Sequence, residues 1–285
     1  MTVRVFDPAQ CYLGEGPLWH PTRNSLIWFD IMEKRMLERA NIEQKESKCW
    51  IFDEYVSAAG IVDDDTIIVA SQTALSRLNL TNGSFETLVP LEADTPVTRS
   101  NDGRADPYGG FWIGTMGVFA ETDAGAIYRY YKGELRKLFA PITISNAICF
   151  SPDGLHAYFT DTPKRQIMRV ALDGEGWPKG DPEVWIDLRA EELNPDGADV
   201  DSAGNLWNAQ WGASRLACYG PDGQFLRAID LPAQNITCPA FGGPDFTVLF
   251  ATSATNGLDE TYPDAGKTYV CEVDIPGQPA NRVLL

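Results

Sequence analysis

The chain has 285 residues, 44% of them hydrophobic and 22% charged, a balance that suits a globular protein with a sizeable core. Acidic residues outnumber basic ones 40 to 23, a net charge of -17 whose field repels phosphate backbones and anionic lipid and so counts against nucleic acid and membrane surfaces as partners. No stretch suits a membrane-spanning helix, the first residues hold no apolar run of signal-peptide length, and Cys11, Cys49, Cys149, Cys218, Cys238 and Cys271 form no C-x-x-C pair, which together predict buried free thiols in a cytoplasmic protein.

In chain order, a short strand-like run at 3–6 comes first. A turn then leads into an apolar run ending at Trp28, and the same unit returns five times. It reads DDDTIIV at 63–69, DPYGGFW at 106–112, SPDGLHAY at 151–158, DSAGNLW at 201–207 and GPDFTVLF at 243–250. The units end at 28, 69, 112, 158, 207 and 250, so they recur every 41 to 49 residues. A further strand-like run follows each, at 35–39, 75–78, 126–130, 166–170, 215–219 and 268–272, and a fourth, such as 49–52 or 184–187, completes most units. Four short strands in forty-odd residues is the arithmetic of a propeller blade. Pro, Asp, Asn and Gly fall where hairpins need turns, and neither a helical period nor a linker interrupts the pattern. The expectation is an all-β chain, one domain over 1–285, folded as a six-bladed β-propeller with four antiparallel strands per blade. The run at 3–6 would complete the last blade and close the ring without a free edge. Trp28, Trp112, Tyr158 and Trp207, at equivalent strand ends, read as core.

In such a fold the first strand of each blade lines a central channel. The residues at its leading end, taken repeat by repeat, are Glu15, the segment 57–59, Asn101, Asn146, Asp196 and the segment 237–238. Four of the six are strong oxygen ligands, carboxylates and amides that would converge on the axis, the arrangement a divalent cation needs. Glu15 and Asp196 lie beside Gly and Pro, where turn chemistry alone would explain them. Recurrence at one point of the repeat favours function. Asn146, among apolar neighbours, must find partners if it is buried. Arg99 shares a strand face with Asn101, as an ion-pair partner within the cluster or as a substrate contact. Glu121 falls on a loop above the channel mouth, where a solvated carboxylate is the ordinary alternative. His20 and His156 sit in the recurring turn, away from the mouth. Two such histidines do not build a His-ligated metal or a Ser-His site, and there is no nucleophile elbow, dinucleotide fingerprint or P-loop.

Six segments carry a resemblance: LGEGPLW at 13–19, NDGRADPYGGFWIGTM at 101–116, SNAICFSPDG at 145–154, YFTDT at 158–162, NPDGADVD at 194–201 and FGGPDFTVLFATSA at 241–254. Nearly the whole chain, in order, resembles the senescence-marker-protein/gluconolactonase family, which includes regucalcin and bacterial sugar lactonases. The resemblance implies a six-bladed propeller and one divalent metal held by Glu15, Asn146 and Asp196. It implies substrate contacts from Arg99, Asn101 and Glu121, and hydrolysis of a sugar lactone to the aldonic acid. In that chemistry the metal polarises the carbonyl and Asp196 assists water as a base. An all-oxygen shell places Ca2+ first, with Mg2+, Mn2+, Zn2+ or Fe2+ also admitted. Two features depart from the family: the usual P-N-G is Ser145-Asn146-Ala147 here, and the loop bearing Glu121 varies in length. Hydrolysis of other esters or organophosphates at the same metal, and a calcium-binding propeller without turnover, are the competing readings. The sugar, its ring size and the oligomeric state are left open.

Overall fold

The computed structural model describes residues 2–40, 46–259 and 261–285. Its strands form six four-stranded antiparallel sheets. The innermost strands are Gly14–His20, Val56–Ile61, Thr98–Ala105, Ser145–Phe150, Asn194–Val200 and Asn235–Gly242. Each packs against the innermost strands of the two neighbouring sheets, and the first meets both the second and the sixth, so the sheets stand in a closed ring of six blades.

The strand boundaries follow the turn chemistry closely. The runs expected at 215–219 and 268–272 are the strands Arg215–Tyr219 and Thr268–Glu272. In the last blade, Val248–Ala254 and Thr268–Glu272 are joined by Arg4–Asp7 as the outermost strand, in place of the run 3–6, with Arg4 paired to Val270 and Val5 to Tyr269. That one strand is itself the outer edge of the sheet, and by joining the last blade it ties residues from opposite ends of the sequence into one sheet and so closes the ring. Phe6 on it packs edge-on against Trp28 and Phe250, and Arg39 of the first blade reaches Asp7 at 3.1 Å, so the closure is held by apolar and ionic contacts alike.

The core lies between blades. Trp28, Trp112 and Trp207 are fully buried and Tyr158 nearly so, as their repeat position predicts. Trp112 meets Phe150 of the following blade at 5.5 Å, and Trp207 meets Phe241 at 6.5 Å, both edge to face, the favoured geometry for aromatic pairs. Outermost strands such as Lys48–Ile51 face solvent. Cys49 lies on that strand and is exposed, unlike the other five cysteines; all six are free thiols. Among the described residues one 3-10 turn, Thr162–Lys164, breaks the all-β pattern, and no helix is long and apolar enough to cross a membrane.

Two features position the site. Every innermost strand breaks register near its leading end: between Glu15 and Leu18, Val56 and Ala58, Ser100 and Gly103, Asn146 and Cys149, Pro195 and Ala198, and Ile236 and Pro239. Such a bulge leaves a residue unpaired, bends the strand and re-aims side chains. At the opposite end of these strands the C-terminal segment lies across the channel. Val283, 2% exposed, donates its N–H to Ile61 O at 2.7 Å, and Asn281 Nδ2 reaches Ala105 O at 3.2 Å. The channel is thus capped at one end and opens at the other.

Candidate functional site

The open end holds a cavity of about 940 Å3, and Glu15, Asn101, Asn146, Asp196 and Arg99 all line it. Each of these side chains is 3–5% exposed. The six bulges explain the convergence, because Glu15 and Asn146 stand at the register breaks and Asn101 and Asp196 lie within them. Gly16 follows Glu15 with φ 55° and Ala147 follows Asn146 with φ 54°, the left-handed turn that swings the preceding side chain toward the axis. At Gly16 a Cβ would lie 2.2 Å from Ser57 O, so only glycine fits. Ala147 keeps the same backbone at a cost of about 1 kcal/mol, so the Ser-Asn-Ala departure strains the chain without displacing Asn146.

Hydrogen bonds join these residues across three blades. Arg99 Nη1 donates to Ser100 O and Asn101 Oδ1, both at 2.8 Å. Asn101 Nδ2 donates to Ser145 O at 2.9 Å and to Asn146 Oδ1 at 3.1 Å. Asn146 Nδ2 donates to Thr162 Oγ1 at 3.0 Å, and that hydroxyl donates to Pro195 O at 2.8 Å, beside Asp196. Thr162 thereby orients the Asn146 amide and ties it to the strand bearing Asp196. Sequence reasoning passed over Thr162, whose only signal was its place as the last residue of YFTDT. The two remaining repeats turn their hydroxyls aside. Ser57 Oγ donates to Ser100 Oγ at 2.8 Å, and the Thr237 hydroxyl engages Gly14 O and Thr252 Oγ1.

The carboxylates stand in an unfavourable field. Burial, reinforced by Asp102, pushes Glu15 up to about 8, against smaller opposing effects of the Gly16 N–H and Arg99. Asp196 is held well above the carboxylate range by burial first, then by Glu15 and Asp102. Each accepts the N–H of the following glycine at 3.1 Å, and neither forms an ion pair or a side-chain hydrogen bond with a cationic group among the described residues. Arg99 is itself lowered to about 10 by burial, with Glu15 opposing. Its guanidinium bonds to an amide and a carbonyl, and its buried Nε has no partner. Two desolvated carboxylates lacking a direct positive partner, flanked by amide oxygens, form a donor set of hard oxygens that a divalent cation fits. Among the described residues no three His, Cys, Asp or Glu side chains form a metal-binding group, so the neighbouring amide oxygens are the further protein donors at hand.

Glu121 stands apart from the cluster. Its Oε2 accepts the Phe119 N–H at 3.0 Å within its own loop, and Glu121 is not part of the cavity wall. Ala120, with φ 60°, turns that loop back on itself, and Val118, Phe119 and Ala120 line the cavity in its place.

Comparisons with known proteins agree with the fold. A model of the SMP-30/gluconolactonase/LRE-like region matches residues 13–255. A provisionally named sugar lactone lactonase of Rhizobium meliloti is 39% identical, over 98% of this chain and 97% of its own. The L-arabinolactonase of Azospirillum brasilense is 34% identical, over 95% of this chain and 91% of its own. The crystal structure of a calcium-binding protein, regucalcin, from Agrobacterium tumefaciens superposes with a TM-score of 0.97 at 38% identity, covering 100% of this chain and 98% of that one.

Proposed function

The chain belongs to the SMP-30/gluconolactonase/LRE-like family, and from that premise we propose that it hydrolyses a sugar lactone to the aldonic acid, with one divalent cation held by Glu15, Asn146 and Asp196. The observation that carries this reading is the pair of buried carboxylates that share the mouth of the channel with two amides and no direct cationic partner. A cation bound there would neutralise the carboxylates and act as a Lewis acid toward the lactone carbonyl. Ca2+ is the first choice for an all-oxygen shell, with Mg2+, Mn2+, Zn2+ or Fe2+ as alternatives.

The chain's own groups have distinct tasks in this proposal. Asp196, ionised, takes the proton from the attacking water. Arg99 donates hydrogen bonds to hydroxyl groups of the sugar, Asn101, whose two amide N–H groups are already given to Ser145 and Asn146, accepts one through Oδ1, and Thr162 holds the Asn146 amide in place. The contribution assigned to Glu121 then rests on its loop, whose backbone it fixes next to the cavity through Phe119. Six free cysteines support a reducing compartment, the cytoplasm.

The test is a pH-stat comparison of five- and six-membered aldonolactones with aryl esters and phosphotriesters. The lactones are expected to exceed the other two classes by about 100-fold or more in kcat/KM, a gap of about 2.7 kcal/mol in transition-state binding. Equal rates would favour a general esterase. Tight calcium binding without any turnover would favour a non-catalytic propeller.

A further inference from the structure

The charge on the cavity wall is opposite to that of the molecule. The chain carries 40 acidic and 23 basic residues, yet the wall holds Arg99, Lys164, Arg165 and Arg189 against only Glu15 and Asp196. The two carboxylates belong to the cluster already described. Three of the four cations come from one side, where the Thr162–Lys164 turn meets the segment before Asn194. Lys164 is partnered by Asp161 at 3.0 Å and Arg189 by Asp187 at 2.6 Å. Arg165 differs. Its Nε donates to Asn194 Oδ1 at 3.1 Å, and among the described residues no carboxylate pairs with its guanidinium.

The backbone fixes Arg165 close to the proposed chemistry. Its N–H donates to Thr162 O at 2.9 Å, and Thr162 holds Asn146. Its carbonyl accepts the Leu188 N–H at 2.9 Å, which brings Arg189 alongside. Asn194, which anchors the guanidinium, lies two residues before Asp196, at most about 7 Å of extended chain. Arg165, Asn194 and Asp196 thus line one cavity.

Resting on the lactonase reading above, we propose that the preferred substrate is a lactone with an anionic group (carboxylate, sulfonate or phosphate) at the end remote from the ring carbonyl, and that Arg165 receives it. A guanidinium freed of carboxylate partners and oriented through Nε presents its remaining N–H groups as a fork that matches such anions. Lys164 and Arg189, each neutralised by its own aspartate, leave Arg165 as the cation of this side that is free of a carboxylate among the described residues.

The experiment compares kcat/KM for a neutral six-carbon aldonolactone with that for the same lactone bearing a 6-carboxylate, a 6-sulfonate or a 6-phosphate, at low and high salt. At least one anionic lactone is expected to exceed the neutral one by about tenfold, chiefly through KM, with the gap narrowing in salt. The three arms identify which anion is meant. Arg165 has φ 54°, a backbone that Asn tolerates well, so Arg165→Asn is the variant least apt to disturb folding. It should collapse the anionic-to-neutral ratio to about twofold, and Arg165→Lys, which keeps the charge but loses the fork, should retain only part of it. A neutral lactone that matches or beats every anionic one overturns the proposal, as does a preference that survives Arg165→Asn. If no lactone of any kind is turned over, the lactonase reading fails and this proposal fails with it.

Discussion

Replacing Asp196 by Asn is expected to lower kcat for lactone hydrolysis by about 10²- to 10⁴-fold, the range for loss of a positioned general base. Asn keeps the shape, and its Oδ1 can still accept the Gly197 N–H that Asp196 accepts at 3.1 Å. What disappears is the negative charge and with it the ability to take a proton from water. The fold should persist, because in the metal-free protein that charge is disfavoured by burial and by Glu15. Circular dichroism and the thermal midpoint check folding, and single-turnover kinetics check the chemistry. A variant with native turnover would remove Asp196 from the mechanism.

The second large effect concerns stability. Glu15 is pushed from the ordinary carboxylate range up to about 8, so the folded, metal-free protein holds a proton that the unfolded chain has already released. Wherever the native state binds more protons than the unfolded one, stability falls as pH rises. For Glu15 the window runs from about 4.5, its ordinary value, to about 8. Glu15→Gln imitates the protonated acid. In chelator at pH 8 its thermal midpoint should therefore lie above that of the unmodified protein by about 5 °C, with the gap closing toward pH 5. Added Ca2+ should reverse the order. A cation that binds only the native state stabilises it by mass action, and the unmodified protein alone would keep the carboxylate pair that holds it. Identical midpoints with and without Ca2+ in the unmodified protein would remove Glu15 as a ligand.

Much of the fold was legible because its signals are local. The turn clusters and apolar alternation of each repeat placed Arg215–Tyr219 and Thr268–Glu272 at their observed bounds, and the period counted the blades. Equivalence between repeats then located Glu15, Asn101, Asn146 and Asp196, which the structure brings to one cavity. The bulges were not legible. A register break belongs to two strands at once, and the residues inside it range from Gly16 to Asp102 to Cys238 with no shared chemistry. Glu121 shows the limit at loops. Its carboxylate binds its own backbone because Ala120 adopts a left-handed turn, which no side-chain preference announces. Thr162 and Arg165 owe their places to contacts with Pro195 and Asn194 in the next blade, separated from them by about thirty residues of chain. Cys49 looked like its apolar neighbours but lies on an outermost strand, where nothing covers it.

The central claim is that Glu15, Asn146 and Asp196 hold one divalent cation that lactone hydrolysis requires. Protein stripped with a chelator and then titrated with Ca2+, while acid release from an aldonolactone is followed in the pH-stat, tests it most directly. Activity absent after stripping and restored in full at one equivalent of cation per chain, in the unmodified protein but not in Glu15→Gln, is the predicted result. Full turnover in the presence of the chelator would contradict it.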